Sequence, residues 1–499
     1  MLGGALLALA FLPIGLQCLA WVAYVPLLVA LDSAVRAQAG KRALFALGYA
    51  YGLAFFAIDM HWIARLSNVA ITVPWLKYPA WLAASAYLAL FGGLATLLAG
   101  WLARRAPLAF AFPAAFLTIE EWRASGELGF PWFQPGYSQA AFPRLLQMAS
   151  LGGVTLVTLW LLALNVLVWR ALAARGRSLA TLGALLAFAL PWAWGQRALD
   201  AAPKDVGPTI ALVQGDIPGE IKWSGNHQGE ILAKFLELSH DALAHEPRPA
   251  LVIWPETATG SYLRKQLDQA IDVATFVAGE RVPVFTGMAD YAVTPHGLRV
   301  YNAAGLFTPE GAAPPPYEKR HLVPFGERMP FEWLIPALGK LELGQAEWTP
   351  GDSAVRFPSA AGPFSCLICF ESIFPNLARG DVRRGATWLV IVTNDEWFGR
   401  SAAIAQHADM AAFRAVENHV PIARCANTGR TEVIDAYGRV RARVPEFREA
   451  TLIAPLPRRG PVTWYSRVGD WPGALALAAV LVLALGGAAG ALTPREPRG

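Results

Sequence analysis

Eight stretches of the chain are so uniformly apolar that none could fold against water on its own: Leu2–Leu12, Cys18–Leu31, Ala43–Trp62, Tyr78–Ala103, Pro107–Trp122, Val154–Leu172, Leu179–Trp194 and, after a long interval, Trp471–Leu492. In hydrocarbon a backbone must satisfy its own N–H and C=O groups, and a helix does so within one segment. Crossing the apolar layer takes about 20 residues. The first two stretches fall short of that, and Pro13 and Gly15 between them fit a tight helical hairpin. Composition agrees: with 499 residues, 55% of them apolar and 16% charged, and a mean hydropathy of +0.36, the chain is too apolar for an ordinary soluble protein.

Basic residues set the expected orientation. Arg36, Lys41 and Arg42 follow the second stretch, Arg104 and Arg105 the fourth, Arg170, Arg175 and Arg177 the sixth, and Arg495 and Arg498 the eighth, whereas the alternate short loops carry only Arg65, Lys77, Arg123 and Arg144. The positive-inside rule then puts both termini in the cytoplasm and the long interval outside. The expected layout is a transmembrane domain of about seven helices over 1–196, an extracytoplasmic domain over 197–470, and a last membrane helix with its tail over 471–499. The net charge of +5 is modest and the arginines cluster at segment ends, so no nucleic-acid partner is expected. Ala37-Gln-Ala39 has the look of a signal-cleavage site, but no basic segment opens the chain and Pro13 interrupts the apolar run, so retention is expected.

Two features of the outer loops stand out. Gly129-Phe-Pro-Trp-Phe-Gln-Pro-Gly-Tyr-Ser-Gln139 is aromatic, proline-rich and uncharged, as an interfacial anchor or a substrate-facing segment would be. Asp59, His61, Glu120 and Glu121 stand near helix ends, where interfacial solvation and function are both open to them.

The long outer interval alternates strand and helix signals. Thr209–Gln214, Ala250–Ile253, Val282–Thr286 and Pro421–Cys425 read as strands; Gly229–Ala244, Arg264–Ala278 and Ala403–Asn418 read as helices; Gly297–Phe307 looks like hairpin material. That alternation is the mark of an α/β domain. Between Phe325 and Gly351, Phe331, Trp333, Leu334, Ile335 and Leu338 fit either a core helix or a lid that touches lipid.

Three extended runs within this domain end in chemistry. Phe364-Ser-Cys-Leu-Ile-Cys369 delivers a thiol to a strand end, with Glu371 two residues on; Ala250–Trp254 is stopped by Pro255 just before Glu256; Tyr317–Gly326 carries Lys319 and leads to Glu327. Strand ends are where an open α/β sheet presents its reactive groups. A free thiol titrates near 8.5 and a free glutamic acid near 4.3, so passing the proton from one to the other is uphill by roughly 6 kcal/mol. A cation beside the sulfur closes part of that gap and then serves the oxyanion of an acyl-transfer intermediate. Cys366 and Cys369 also suggest a redox or zinc pair. In one strand, however, their Cα atoms would lie about 10 Å apart, beyond the roughly 7 Å a disulfide allows, and no second ligand pair is near by, so neither metal nor cofactor is expected.

Trp254-Pro-Glu256, the run from Lys319 to Glu327 enclosing His321-Leu-Val-Pro-Phe-Gly326, Cys369-Phe-Glu371 and Thr393-Asn-Asp-Glu-Trp-Phe-Gly399 occur in this order. Order and spacing resemble the carbon–nitrogen hydrolase (nitrilase) superfamily, and the wording is closest to its membrane branch, the apolipoprotein N-acyltransferase family. The match spans essentially all of residues 209–455. It implies a four-layer α-β-β-α sandwich inserted before the last membrane helix, a Glu256–Lys319–Cys369 triad supported by Glu327 and Glu371, and substrate contacts at Trp223, Trp397 and Phe398. It also implies a bacterial inner-membrane location with the catalytic domain on the periplasmic side, a phospholipid donor such as phosphatidylethanolamine, a cysteine thioester, and a diacylglyceryl-cysteine lipoprotein as acceptor. Phe370 stands where the family motif would carry Tyr, which removes a hydroxyl but leaves the backbone donor. The competing expectations are a membrane-tethered amidase or nitrilase that uses water as acceptor, and a non-enzymatic lipid-binding or transport protein.

Only Cys369 ends its strand beside Glu371, so Cys369→Ala and Cys369→Ser are expected to abolish thioester formation and Cys366→Ala to leave it in place. Intact-mass measurement after incubation with phospholipid reads the difference, and equal loss from both cysteines would point to a redox or metal pair.

Overall fold

The first apolar stretches fold as helices whose ends depart from expectation where glycine and proline intervene. A computed structural model describes residues 1–67, 73–173, 177–295, 297–311, 313–335 and 347–492; Arg175, Leu338, Arg495 and Arg498, which entered the expectations above, lie outside them. The helices are α1 (Leu2–Phe11), α2 (Val25–Arg36), α3 (Lys41–Asp59), α4 (Lys77–Leu102), α5 (Leu108–Arg123), the short α6 (Pro143–Leu146), α7 (Ala149–Leu172) and α8 (Arg177–Asp200). The second expected stretch, Cys18–Leu31, is a 3-10 turn over Gln17–Trp21 followed by α2, which opens with Pro26 in its first turn and runs on to Arg36. Helix α7 begins five residues before Val154 and bends at Gly152 and Gly153, the latter at φ 69°. Among the described residues five helical stretches are long and apolar enough to cross a membrane: Gln17–Arg36, Lys41–Arg65, Pro74–Leu102, Ala149–Leu172 and Arg177–Asp200.

Helices α3 and α4 pack through small residues. A Cβ at Gly48 would collide with the carbonyl oxygen of Gly92 and the hydroxyl of Thr96, Gly52 lies against Ala89, and Thr96 Oγ1 donates to the Leu44 carbonyl at 2.8 Å. Where solvent gives helices no reason to associate, close backbone approach of this kind supplies the contact. The Gly129–Gln139 loop, for which an interfacial anchor and a substrate-facing segment were both open, is largely buried: Trp132, Phe133 and Tyr137 are covered, and Gly136 N–H donates to Thr158 Oγ1 at 3.0 Å. Of the acidic residues near helix ends, Glu120 pairs with Arg123 at 2.6 Å, Glu121 accepts from Gln134 and Thr155, each at 3.1 Å, and Asp59 is buried. His61 Nδ1 donates to the Ile58 carbonyl at 2.8 Å.

The remainder is α/β. In order come β1 (Val206–Gln214), α9 (Gly219–Lys222), α10 (Gln228–Leu243), β2 (Val252–Ile253), α11 (Leu267–Glu280), β3 (Val284–Thr294), β4 (Gly297–Phe307), β5 (Tyr317–Glu318), β6 (Phe364–Ile368), α12 (Pro375–Arg383), β7 (Trp388–Thr393), α13 (Ala402–Asn418), β8 (Ile422–Ala426), β9 (Glu432–Ile434), β10 (Val440–Arg443), β11 (Ala450–Pro457) and α14 (Trp464–Val468), before α15 (Trp471–Leu492). One sheet has the order β11-β1-β2-β3-β4-β5 and the other β10-β9-β8-β7-β6. The strands β1, β2 and β3 are parallel, as are β6, β7 and β8, and β3–β4 is the expected hairpin.

Alternate residues of β1 face opposite ways. Ile210 and Leu212 join Ile253, Phe285, Phe364, Ile368, Val390 and Val392 between the two sheets, while Ala211 and Val213 join Trp254, Phe235 and Val273 under α10 and α11. Strands covered on both faces read as continuous apolar runs, which is why they were recognisable. The layers are therefore α-β-β-α.

The chain divides into two compact units, Met1–Ala64 with Lys77–Arg197 and Val468–Gly499, and Arg65–Leu76 with Ala198–Arg467. The short early segment joins the α/β unit, where Ser67 N–H donates to the Trp397 carbonyl at 3.1 Å.

Gly48→Leu is expected to force α3 and α4 apart and cost about 1–3 kcal/mol, the usual range for overpacking. A lowered unfolding midpoint in detergent checks this; an unchanged midpoint would show that the helices do not depend on that approach.

Candidate active site

Three strand ends of the α/β unit converge. Past β2, Pro255 turns the chain and the turn lies against β3 at Gly287, whose N–H donates to the Pro255 carbonyl at 3.2 Å. A Cβ at Gly287 would stand 2.6 Å from the Glu256 Cα, so the absent side chain lets that turn sit in place. Glu256 Oε1 accepts from Asn302 Nδ2 at 2.8 Å and Oε2 from the Asn394 N–H at 2.8 Å. Just past β5, Lys319 projects its ammonium 2.8 Å from Glu327 Oε1 and 3.5 Å from Glu256 Oε1. Glu327 folds back across the Pro324–Gly326 turn, where its Oε2 also accepts from the Val323 N–H at 2.8 Å. Asn302, on β4, donates to both carboxylates, reaching Glu327 at 3.2 Å.

Cys369 directly follows β6, at φ 51° in the left-handed region, and opens a 3-10 turn running to Ile373. For a side chain with a Cβ that conformation costs about 1–2 kcal/mol, so the surroundings have to hold it. Glu371 does much of the holding. Its Oε2 accepts from the Ile368 N–H at 2.8 Å, while Oε1 accepts from the N–H groups of Arg320 at 2.7 Å and His321 at 3.1 Å and from the Tyr317 hydroxyl at 2.7 Å. One carboxylate thus ties the residues following Lys319 to the residue preceding Cys369.

The electrostatics assign states. Burial works against the Lys319 ammonium, but Glu327, Glu256 and Cys369 together hold it above the usual lysine range. It is a fixed cation and not a base. Burial pushes the Cys369 thiol up and the Glu256 charge adds to that, with Lys319 opposing, so the resting sulfur keeps its proton. Burial and Lys319 bring His321 down to about 4, leaving its ring neutral near pH 7.

Several residues at this site escaped sequence reasoning. Asn302 was an amide in the buried run Tyr301–Leu306 of β4, and Arg424 a charge amid the apolar β8; an unexplained polar residue in a buried strand is the signal each offered. Lys222 is buried and donates to the Glu256 carbonyl at 3.0 Å, and burial takes it down to about 8. Behind Cys369, His407 Nε2 lies 3.1 Å from the Cys369 carbonyl and 2.9 Å from Ser372 Oγ, while Asp395 bridges His407 at 3.0 Å and Arg424 at 2.8 Å.

The expected substrate-contact residues gather on two turns. Glu396 Oε1 accepts from the Gly219 N–H at 2.8 Å, joining the turn of Trp397 and Phe398 to the start of α9, which Trp223 follows. Trp223 is half-exposed, Trp397 and Phe398 are partly buried, and Phe398 meets the His407 ring at 5.9 Å. Beyond Glu327, Phe331, Trp333, Leu334 and Ile335 are exposed and do not form a core helix. Among the described residues no group of His, Cys, Asp and Glu could hold a metal ion.

Two family models match the chain: one described as apolipoprotein N-acyltransferase N-terminal domain over residues 3–167, and one described as carbon-nitrogen hydrolase over residues 209–464. A protein of Geobacter metallireducens named apolipoprotein N-acyltransferase is 34% identical over 94% of this chain and 91% of its own length. One of the same name from Rhodopseudomonas palustris is 31% identical over 97% of this chain and 94% of its own. Among solved structures, a nitrilase-superfamily member from Saccharomyces cerevisiae is 21% identical, covers 52% of this chain and 93% of its own, and gives a TM-score of 0.38.

Because Glu256 raises the thiol and Lys319 lowers it, the pH profile of Cys369 alkylation by iodoacetamide is expected to move to lower pH in Glu256→Gln and to higher pH in Lys319→Met. Shifts in the reverse sense, or coincident profiles, would remove these charges from the thiol's surroundings.

Proposed function

The chain belongs to the apolipoprotein N-acyltransferase family, and from that premise we propose that it moves an acyl chain from a membrane phospholipid to Cys369 and then to the amino-terminal amine of a diacylglyceryl-cysteine lipoprotein. Family membership makes it a membrane acyltransferase of lipoproteins with a nitrilase-type catalytic half. The observation that carries the finer reading is the buried Lys319 ammonium, gripped by Glu327 at 2.8 Å, 3.5 Å from Glu256, and felt by the Cys369 thiol.

In the first half-reaction Glu256 takes the thiol proton as sulfur attacks the ester carbonyl. The oxyanion then meets the Lys319 ammonium and the backbone N–H of Phe370, donors set before the charge develops. Collapse breaks the ester C–O bond, Glu256 returns the proton to the leaving glycerol oxygen, and a thioester and a lysophospholipid result. In the second half the lipoprotein amine attacks the thioester carbonyl, Glu256 receives the amine's proton, and the leaving sulfur recovers it. Because the amine arrives on its own lipid anchor, it has an advantage over water. Phosphatidylethanolamine is the proposed donor, with Trp223, Trp397 and Phe398 as acyl contacts; the bare Phe370 ring, packed at 5.3 Å on Phe374, contributes no hydroxyl.

The charge pattern of the short loops supports an orientation with the domain of residues 197–470 on the periplasmic face of a bacterial inner membrane, and 1–196 and 471–499 as its membrane parts. The test is incubation of the detergent-solubilised chain with acyl-labelled phosphatidylethanolamine, followed by a diacylglyceryl-cysteine peptide. Label is expected on Cys369 and then on the peptide amine. Label released as free fatty acid at the same rate with or without peptide would favour the hydrolase instead.

Glu327→Gln keeps the shape beside Lys319 and removes one charge from a buried pair. An exposed pair would be worth only about 0–1 kcal/mol, whereas a buried one is costly to unbalance. Single-turnover acylation is therefore expected to slow by at least about tenfold while the protein remains folded; an unchanged rate beside an inactive Lys319→Met would take Glu327 out of the mechanism.

A further inference from the structure

A peptide bond is planar and trans, so its carbonyl and the next residue's N–H point in opposite directions and turn together. The Cys369 carbonyl and the Phe370 N–H belong to one such plane. On the carbonyl side the oxygen is gripped from two directions: Ser372 Oγ donates to it at 2.8 Å, and His407 Nε2 stands 3.1 Å from it and 2.9 Å from the same Ser372 hydroxyl. The imidazole is itself fixed. Asp395 Oδ1 lies 3.0 Å from Nδ1 and accepts from Thr393 Oγ1 at 2.9 Å, while its Oδ2 accepts from Arg424 at 2.8 Å. Burial works against the Asp395 charge, but Arg424 and His407 hold its carboxyl well below the usual carboxylate range. A carbonyl oxygen can only accept, so Nε2 is the donor in its contact with the Cys369 carbonyl. All five side chains, Ser372, His407, Asp395, Thr393 and Arg424, are fully buried.

We propose that His407, backed by Asp395 and Arg424 and acting with Ser372, is a positioning residue that aims the Phe370 N–H at the reacting carbonyl by holding the other end of the same peptide. This rests on the assignment of Cys369 as nucleophile and of that N–H as an oxyanion donor. The left-handed conformation at Cys369, φ 51°, is what makes the grip necessary, because an unheld peptide would rotate out of it. Donors on a carbonyl also polarise the N–H across the plane, so the same contacts strengthen the donor they aim.

Two reactions of one sulfur separate this role from a structural one. Acylation by phospholipid builds an oxyanion; alkylation by iodoacetamide does not. In Ser372→Ala and His407→Leu, single-turnover acylation of Cys369 from phosphatidylethanolamine in detergent is expected to fall about 10- to 100-fold, somewhat less than deletion of an oxyanion donor outright. The alkylation rate at the same pH is expected to stay within about threefold of the parent, because no oxyanion is there to stabilise. His407→Gln, which keeps an amide donor near the Nε2 position, is expected to recover part of the acylation rate. If acylation and alkylation fall by the same factor, the network merely maintains the fold or the thiol, and the inference is overturned; unchanged acylation in both variants overturns it equally. A parent protein that is alkylated but never acylated would overturn the phospholipid-donor reading, and this inference with it.

Discussion

A single buried ammonium between two carboxylates is the interaction on which the α/β unit's site depends. Lys319 alone would be costly in that setting, and so would Glu256 or Glu327. Together they leave one excess negative charge, which the donors around them spread: Asn302 to both carboxylates, the Asn394 N–H to Glu256 and the Val323 N–H to Glu327. Glu256 and Lys319 come from one sheet and Cys369 from the other, so the accuracy of the site is the accuracy with which the two sheets pack. Glu371 spans that gap. Its carboxylate accepts from residues on both sides, which makes it a tie between sheets more than a group reserved for chemistry.

How much of this could be read in the residues alone follows from which forces are local. Strands β1, β2, β3, β6 and β8 announced themselves because burial on both faces leaves an unbroken apolar run, whereas β7 and β9–β11 were not singled out; Glu256, Lys319 and Cys369 stood out as the chemistry ending such runs. Glu327 was accessible through its spacing from Lys319 across a proline-containing turn. By contrast, Asn302, His407, Arg424 and Lys222 reach the site through strand register and helix packing, which no short motif records. His407 sits on α13, 38 residues from the carbonyl it approaches. The helical half was legible as apolar segments but not at its breaks. The α2 stretch begins as a 3-10 turn, and the Gly129–Gln139 loop, whose aromatic residues left an anchor and a substrate-facing segment both open, is buried where Gly136 meets α7 closely.

The electrostatic balance also explains why Cys369 rests as a thiol and not as a standing thiolate. With Glu256 so near, ionising the sulfur would place a second negative charge in buried surroundings. Keeping its proton shields the thiol from oxidants that seek the thiolate.

The segment Arg65–Leu76 lies more than a hundred residues ahead of the rest of its unit, yet its Ser67 backbone is bonded to the turn bearing Trp397. The catalytic half is therefore not a module in the genetic sense. A gene fragment beginning at Ala198 encodes Glu256, Lys319 and Cys369 but omits a piece of the compact body that holds them, so this half is not carried by one uninterrupted stretch of the gene.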